Sequence, residues 1–369
     1  MSNDDKKWMN LAILEAFRSK GTTGKNPPVG CVIAKNNIFI SSGRTSFLGR
    51  PHAEENALSK VFNKNILLNA TIYVTLEPCS HKNTLGKSCA DLIIESGISE
   101  VFICCVDPDP RTNGKSINLF KKNNIKVHSK YMEKNALDIY NGFFSRLLNN
   151  KPFVTMKIAC SLDGKIALKN KRSKWITNEL SRRTTHFIRA QNDAILTSNS
   201  TIITDNPMLN CRLEGMENRS PDIVILDRYL KLNSSYKIFE ENLNNNIYLY
   251  SLNNSSNHLS KLTNIKKIIV NKDLNNKEFF NFIFRDLCNK GINNLLIESG
   301  SKLSTILLSL NMIDKLIIFR SGKIIGNDGL PFINDLNHKN IEKLEKYKIS
   351  FLRILDDDVL EIRNHSNED

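Results

Sequence analysis

Four residues of this 369-residue chain carry the side chains of a catalytic zinc site. His52 offers an imidazole, Cys79 and Cys89 offer thiolates, and Glu54 places a carboxylate beside the histidine. A structural zinc site is normally closed by four protein ligands, whereas three ligands leave a position for water. The set therefore predicts an open metal site, one zinc ion per chain, at which Glu54 handles protons instead of holding the ion.

The chemistry that suits such a site is hydrolytic removal of an amine from a nucleobase-like ring. Zinc lowers the pKa of a bound water to about 7, so this water can attack the ring carbon at neutral pH. Glu54 would then move a proton to the departing nitrogen. Two alternatives stay open: His81 could be a fourth ligand of a closed structural site, or the cysteines could be ordinary core thiols.

The elements that must position these residues alternate between helices and strands. Residues 4 to 18 have a helical pattern, two strands flank the Asn36-Asn37 turn, and helices are predicted from His52, from Cys89 and over SINLFKKNN. Strands are predicted at ATIYVTL, EVFICCV and IKVHSK. This order is typical of a layered α/β domain. A helix that begins at Cys89 would also favour its thiolate, because the helix dipole is positive there.

The second half of the chain also alternates between helices and strands, but its residues by themselves do not indicate a reaction. Residues 149 to 152, Asn-Asn-Lys-Pro, interrupt the pattern, so we predict domains over 1–150 and 151–369, the second also α/β. Asp163-Gly164 lies between two apolar runs and fits a hairpin turn. No GxGxxG follows a strand, which argues against a Rossmann cofactor site. The stretch from Gly300 lies between a strand and a helix, where backbone amides can hold phosphate or simply form a turn.

Composition limits the class of protein and its partners. A hydrophobic content of 40% and a charged content of 24% fit a soluble globular protein, and no run approaches the roughly 20 apolar residues of a membrane span. The eight cysteines lack the spacing of a disulfide framework, and no signal peptide is evident, so we expect a cytoplasmic protein. The net charge of +14 forms no basic stripe, which favours small phosphorylated substrates over nucleic acid.

The motifs NPPVGCVI, PHAEENAL, YVTLEPCSH and CADLIIESG resemble the cytidine-deaminase superfamily in type and order. Nucleoside and transfer-RNA deaminases usually have two residues between their two cysteines, whereas nine lie between Cys79 and Cys89. This spacing resembles the deaminase domain of bifunctional riboflavin-biosynthesis deaminase/reductases. The chain departs from that family's usual pattern at Pro28, at Tyr140 and in a cysteine-to-cysteine loop that is one residue longer.

The second half adds a resemblance to the riboflavin reductase domain, which has a dihydrofolate-reductase-like fold and uses NADPH. The motifs that carry it are KIACSLDGKIA, SKWIT, DAILTS, TDNPML and IESGS, in this order. A deaminase half joined to this reductase half is more specific than either set of motifs. The resemblance therefore implies a three-layer cytidine-deaminase-like α/β domain followed by a dihydrofolate-reductase-like α/β domain.

The resemblance also implies which residues meet the ligands. Asn26 and His81 would line the pyrimidine pocket, and our own candidates for the substrate phosphate are Lys82 or Lys87. In the reductase half, Arg189 and Arg212 could hold a sugar phosphate bidentately. The full sets implied are, for NADPH, Ala159, Trp175, Thr201, Asp205, Gly300, Ser301 and Lys302, and, for the reductase substrate, Ser173, Arg189, Leu209, Arg212 and Glu298.

The function implied is a pair of consecutive steps in riboflavin synthesis. Zinc-dependent hydrolytic deamination of 2,5-diamino-6-(5-phosphoribosylamino)pyrimidin-4-one would be followed by NADPH-dependent reduction of the ribosyl group of 5-amino-6-(5-phosphoribosylamino)uracil to ribityl. A homodimer through the reductase domain is also implied. Two other classes stay open: a nucleoside, nucleotide or transfer-RNA deaminase with an accessory domain, and a zinc-stabilised binding protein without turnover.

Overall fold

A computed structural model of the chain describes residues 3–81, 86–170, 175–253, 259, 262–337 and 339–366. The chain divides into two compact units, Met1–Asn150 and Lys151–Asp369. Each unit has a hydrophobic core of its own. Within the described ranges, no helix combines the length and the apolar character that crossing a bilayer requires.

The first unit is a five-stranded sheet covered by helices. Its strand order is β2-β1-β3-β4-β5; β1 is antiparallel to both of its neighbours, and β3, β4 and β5 are parallel. Helix α1 packs on β1 and β3, α2 packs on β2, and α5 packs on β4. The elements are α1 (Asn3–Ser19), β1 (Gly30–Lys35), β2 (Ile38–Arg44), α2 (Ala53–Ser59), β3 (Thr71–Leu76), α3 (Cys89–Glu95), β4 (Glu100–Cys105), α4 (Lys115–Lys122), β5 (Lys126–His128) and α5 (Glu133–Asn149).

Two glycines let helices lie directly on this sheet. A Cβ on Gly30 would be 1.9 Å from the carbonyl oxygen of Ala12 in α1, and one on Gly43 would be 2.1 Å from that of Ala53 in α2. Cys31 follows Gly30 along β1 and pairs with Gly43, so the two glycines face opposite sides of the sheet. Helices α1 and α2 therefore cover opposite faces, which confirms the predicted three-layer α/β arrangement.

Helix α5 is an element that the sequence analysis does not predict. Its buried residues include Ala136, Ile139, Tyr140 and Phe143, which lie on one helical face. The Tyr140 hydroxyl lies 2.5 Å from Thr75 Oγ1. Tyr140, one of the departures from the family pattern, therefore ties α5 to the strand that leads to the metal site.

The second unit is built on a nine-stranded sheet of order β11-β10-β9-β8-β12-β6-β13-β16-β15. The first seven strands in this order are parallel to one another. Strand β16 is antiparallel to β13, and β15 is antiparallel to β16. The elements are β6 (Phe153–Cys160), β7 (Lys165–Leu168), α6 (Glu179–Arg189), β8 (Ala194–Ser198), α7 (Asn199–Asp205), β9 (Asp222–Leu226), α8 (Lys237–Glu240), β10 (Ile247–Ser251), β11 (Ile265–Ile269), α9 (Asn276–Asn289), β12 (Asn294–Ile297), α10 (Ser301–Ser309), β13 (Lys315–Ser321), β14 (Gly329–Pro331), β15 (Tyr347–Leu355) and β16 (Asp358–His365).

The turn at Asp163-Gly164 differs from a simple hairpin. Gly164 has a φ of 76°, and its N–H donates to the carbonyl of Ser161 at 3.0 Å, as in a tight turn. However, strand β7 beyond the turn pairs with β14 in a separate two-stranded sheet instead of extending the main sheet. The Asp163 carboxylate accepts the N–H groups of Ile325 and Gly326, at 3.1 and 2.6 Å, and so holds the loop after β13.

Candidate active sites

Three potential metal ligands converge at the carboxyl end of β3. His52 is the N-cap of α2, Cys89 is the first residue of α3, and Cys79 follows β3. His52 Nδ1 lies 3.3 Å from Cys89 Sγ and 3.7 Å from Cys79 Sγ, and all three ligand atoms lie within 4.8 Å of one another. One nitrogen and two sulfurs at this spacing fit tetrahedral zinc, whose bonds to them are about 2.0–2.3 Å long.

The start of helix α3 fixes both cysteines. Ser88 forms a capping box with Asp91, since its hydroxyl accepts the Asp91 N–H at 3.2 Å and its own N–H donates to the Asp91 carboxylate at 3.3 Å. This leaves the N–H of Cys89 to donate to Cys79 Sγ at 3.4 Å, while the N–H of Ala90 donates to the Cys79 carbonyl at 3.1 Å. The positive end of the helix thus faces the two sulfurs.

The two thiols titrate as a pair. The hydrogen bond from Cys89 is the largest influence that lowers the pKa of Cys79, to about 4, and His52 and the Cys89 N–H add to it against the effect of burial. The same shared proton raises the pKa of Cys89 above its ordinary value, together with burial. One proton is therefore lost readily, and a bound metal would displace the second.

Glu54 stands next to the ligands as a buried acid. It lies in the first turn of α2 and is only 3% exposed. Burial raises the pKa of Glu54 to about 7; the positive charge of His52 opposes this shift, and Cys79 adds to it. A carboxyl group that titrates near neutral pH can both accept and donate a proton, as general acid–base catalysis requires.

The predicted fourth-ligand alternative finds no support in the described part of the chain. The ligand cluster found there contains His52, Cys79 and Cys89, but not His81 or Glu54. His81 Nδ1 instead lies 3.5 Å from Thr112 Oγ1. Among the described residues, the cluster therefore offers three protein ligands, the number that an open zinc site has.

The structure describes the second predicted pocket residue, Asn26, and one of the two lysines predicted to contact the substrate phosphate. The Asn26 amide donates to the carbonyl of Gly49 at 3.4 Å, so Asn26 lies against the segment that leads to His52. Lys87 forms a surface ion pair with Glu95 at 2.7 Å. Lys82 lies outside the described residues, so the phosphate contact stays a prediction.

In the second unit, the predicted substrate residues Arg189 and Glu298 meet as a bidentate pair. Arg189 ends α6 and Glu298 follows β12; Nε lies 2.7 Å from Oε1, and Nη2 lies 3.0 Å from Oε2. Arg189 Nη1 donates to the carbonyl of Asn210 at 3.0 Å. The fork of Arg189 is thus occupied by protein groups, which leaves Arg212 as the better placed of the two arginines for a phosphate.

Asn210 joins the rest of this cluster. Its side-chain oxygen accepts from Arg212 Nη1 at 2.6 Å, and its carbonyl oxygen lies 3.1 Å from His186 Nδ1. Burial lowers the pKa of His186 to about 4, and the charges of Arg189 and Arg212 lower it further in the same direction. The predicted residue Leu209, directly before Asn210, is buried and has a φ of 55°. Ser173 lies outside the described residues.

Sequence reasoning missed Lys157. This residue lies in β6 with its Nζ 3.8 Å from Glu298 Oε2, and burial lowers its pKa against the effect of Glu298. Burial by itself would raise the pKa of Glu298, but the charges of Arg189 and Lys157 lower it to about 2. A lysine inside the apolar run FVTMKIAC is the signal that could have revealed it, because an unpaired lysine is costly to bury.

Six of the seven residues predicted for NADPH lie along one edge of the large sheet. Strands β8, β12 and β6 are parallel neighbours, and these six residues, all but Trp175, lie in β6 or in the segments that follow β8 and β12. Such an edge is where α/β sheets bind ligands. Gly300 is the N-cap of α10, and a Cβ there would meet no atom within 4 Å, so phosphate has room at this helix start. The positions are Ala159 in β6, Thr201 and Asp205 in α7, and Gly300, Ser301 and Lys302 at the start of α10.

Trp175 is the one aromatic residue in the predicted cofactor set, and its ring is exposed. It is 62% exposed, and the guanidinium of Arg182 lies 4.5 Å from its ring centroid. Lys323 Nζ donates to the carbonyl of Trp175 at 2.6 Å. A flat apolar ring held open to solvent in this way suits stacking with a planar ligand.

Comparisons with known proteins match both halves. Residues 2–105 match the model of the cytidine and deoxycytidylate deaminase zinc-binding region, and residues 152–354 match the RibD C-terminal domain. The chain is 34% identical over 356 residues to the riboflavin biosynthesis protein RibD of Buchnera aphidicola subsp. Baizongia pistaciae, which covers 92% of this chain and 93% of that protein. It is also 34% identical over 353 residues to RibD of Aquifex aeolicus, covering 94% and 96%.

Solved structures agree with these matches. A crystal structure from Thermotoga maritima, of a diaminohydroxyphosphoribosylaminopyrimidine deaminase/5-amino-6-(5-phosphoribosylamino)uracil reductase, superposes with a TM-score of 0.88 at 31% identity. The match covers 98% of this chain and 99% of that one. RibD of Acinetobacter baumannii gives a TM-score of 0.88 at 29% identity and covers 99% of each chain.

Replacing Cys79 with serine should remove the metal. An alcohol does not ionise as a thiol does, so zinc should fall from about one ion per chain to less than about a tenth. Atomic emission on dialysed protein measures this directly. Cys288→Ser, on α9 of the other unit, is the matched control and should keep its zinc. Full zinc content in the Cys79 variant would contradict the assignment.

The Glu298 carboxylate should make the free energy of unfolding depend on pH in the acidic range. Its pKa is lowered to about 2 on folding, so it stabilises the protein above its unfolded pKa of about 4.3 and loses this effect as pH falls towards 2. The shift corresponds to roughly 3 kcal/mol. Glu298→Gln should lower the urea midpoint at pH 7, and the difference from the parent protein should narrow by pH 3. Glu179→Gln, on the exposed start of α6, is the control; a difference that does not change with pH would contradict the charge-pairing account.

Proposed function

The chain belongs to the RibD family of bifunctional riboflavin-biosynthesis deaminases and reductases, and from this we propose which residues carry out its two reactions. Its function is a zinc-dependent deamination followed by a reduction. We assign the first to residues 1–150 and the second, with NADPH, to residues 151–369. The observation that carries the assignment is the triangle of His52, Cys79 and Cys89 beside the buried carboxyl group of Glu54.

In the deaminase unit, the substrate is 2,5-diamino-6-(5-phosphoribosylamino)pyrimidin-4-one. Zinc, when bound, supplies a water of lowered pKa. Glu54 would take a proton from the water that attacks the carbon bearing the 2-amino group and deliver it to the nitrogen that leaves as ammonia, while the second proton of the water would end on the neighbouring ring nitrogen as the carbonyl forms. A pKa of about 7 suits Glu54 to both roles. Asn26 and His81 hold the ring in place.

In the reductase unit, the ribosyl group must open before it can be reduced. The bond from C1′ to the ring oxygen must break and the oxygen must take a proton; NADPH, when bound, would supply the hydride that C1′ accepts. We assign that proton to Lys157, because its ammonium is buried beside Glu298 and burial lowers its pKa. Arg189 keeps Glu298 ionised through its two hydrogen bonds. Arg212 is then available to hold the substrate phosphate.

Strand β15 supports a homodimer through the reductase unit. It is the outermost strand of the large sheet, and its residues Ile349, Phe351, Leu352 and Ile354 are between 46% and 74% exposed. An edge strand with so many exposed apolar side chains invites pairing with another strand. We propose that β15 of a second copy covers it, and that the protein works in the cytoplasm, where its cysteine thiols stay reduced.

Deamination should occur before reduction, and it should not require NADPH. The full chain, given the diaminopyrimidine phosphate, should release ammonia without NADPH, and should consume NADPH only after deamination. Glu54→Gln should keep its zinc but release ammonia roughly 10²–10⁴-fold more slowly, because the proton carrier is lost. The same variant should still oxidise NADPH when the deaminated product is supplied. Glu55→Gln is the matched control. Unchanged ammonia release from the Glu54 variant would reject the mechanism, and no NADPH oxidation by the parent protein would reject the reductase assignment.

The dimer can be tested by placing a charge on its edge. The parent protein should sediment at twice the chain mass of 42.0 kDa, and Ile354→Lys should shift it to a single chain mass. Ile341→Lys is the matched control, because Ile341 is exposed but lies outside β15. A monomeric parent protein, or an Ile354 variant that stays dimeric, would contradict the proposed interface.

A further inference from the structure

We propose that Glu77 is a positioning residue for the deaminase reaction. It fixes the loop of residues 107–114, called here the 107–114 loop, against the segment that carries Cys79 and His81. The loop then keeps the substrate pocket in one arrangement, so Glu77 controls how tightly the substrate is held. This inference rests on the proposed deaminase function of the first unit.

Glu77 is a buried carboxylate whose two oxygens are both occupied. It follows β3 directly and is 3% exposed. One oxygen accepts the N–H groups of Gly114 at 3.0 Å and of Asp107 at 3.4 Å. The other accepts the N–H and the hydroxyl of Ser116, at 3.2 and 2.9 Å. Four donors from one stretch of chain therefore converge on a single side chain.

These bonds replace the missing cap of helix α4. The N-cap of α4 is Gly114, which has no side chain to accept the free N–H groups at the helix start. The φ of 69° at Gly114 favours glycine at this position. Glu77 supplies the acceptor from the segment directly after β3, and its carboxylate faces the positive end of the helix. Because the same segment carries Cys79, the end of the 107–114 loop is fixed relative to the zinc ligands.

The same loop touches residues beside the metal. Thr112 Oγ1 lies 3.5 Å from His81 Nδ1, and the Ser80 hydroxyl donates to the carbonyl of Arg111 at 3.4 Å. Within the loop, the Asp109 carboxylate binds the guanidinium of Arg111 through Nε at 3.0 Å and Nη2 at 2.5 Å. The loop therefore forms a wall next to the predicted pocket residue His81.

A glutamine at position 77 would separate substrate binding from metal binding. Its amide group has one accepting oxygen, and its NH₂ would face at least one backbone N–H group, so one of the four bonds would be lost in one orientation of the amide and two in the other. Cys79 would keep its contacts, because these come from Cys89 and Ala90 at the start of α3. The loop would loosen while the zinc ligands stay in place.

The test is the deaminase kinetics of Glu77→Gln in the full-length chain. With the diaminopyrimidine phosphate as substrate, KM should rise roughly tenfold, kcat should change by less than about threefold, and zinc content should match the parent protein. Trypsin should cleave after Arg111 faster than in the parent. Glu133→Gln, an acid in the first turn of α5, is the matched control and should change none of these values.

Several results would overturn the proposal. An unchanged KM would show that the loop does not hold the substrate, and a loss of zinc in step with activity would assign Glu77 to metal retention. Ser116→Ala covers the case in which the Glu77 variant fails to fold, as judged by its circular dichroism spectrum and its thermal unfolding. It removes one of the four bonds and should raise KM about twofold; no rise would overturn the proposal. If the parent protein itself released no ammonia, the deaminase assignment would fail first, and this inference with it.

Discussion

The deaminase unit depends on the hydrogen bonds that two helix starts donate to one short segment after β3. The free N–H groups at the start of α3 bind Cys79, and those at the start of α4 bind Glu77. The free N–H groups at each helix start need hydrogen-bond acceptors. The acceptors carry or can carry negative charge, which the positive end of a helix stabilises, so each partner stabilises the other. Pro78 lies between the two acceptors and has no N–H of its own to satisfy. The sequence Glu-Pro-Cys thus fixes a metal ligand and a pocket wall with three residues.

The reductase unit solves a different electrostatic problem. Glu298 is buried, and an unpaired carboxylate there would cost several kcal/mol, which Arg189 and Lys157 offset through close contact. Replacing such a cluster with apolar residues often leaves stability unchanged or improved, so stability alone does not explain it. The cluster lies next to the carboxyl edge of the parallel strands, where substrate and cofactor are expected to meet. This placement supports the proposed roles of the cluster in proton supply and substrate orientation.

The sequence was most informative where function depends on residue type at the ends of elements. The alternation of helices and strands in a layered α/β domain was predictable, because the apolar periods and turns are local, whereas the three-layer arrangement was implied by the family resemblance. The grouping of His52, Cys79 and Cys89 followed from motifs. In contrast, the role of Lys157 could not be predicted, because it depends on contact with Glu298, which is distant in sequence and is brought close only by folding. The partner of strand β7 could not be predicted for the same reason, since the turn at Asp163-Gly164 is local but β7 pairs with the distant β14.

The longer loop between Cys79 and Cys89 does not need to disturb the metal site. Its first end is fixed because Cys79 accepts two bonds from the start of α3 through its sulfur and its carbonyl. Its second end is fixed because the Ser88 capping box sets where α3 begins and thus where Cys89 lies. Both sets of bonds are made by Cys79 and by residues 88–91. An added residue can therefore change the loop between the fixed ends while both thiolates keep their positions, and its effect should fall on substrate binding, not on zinc affinity.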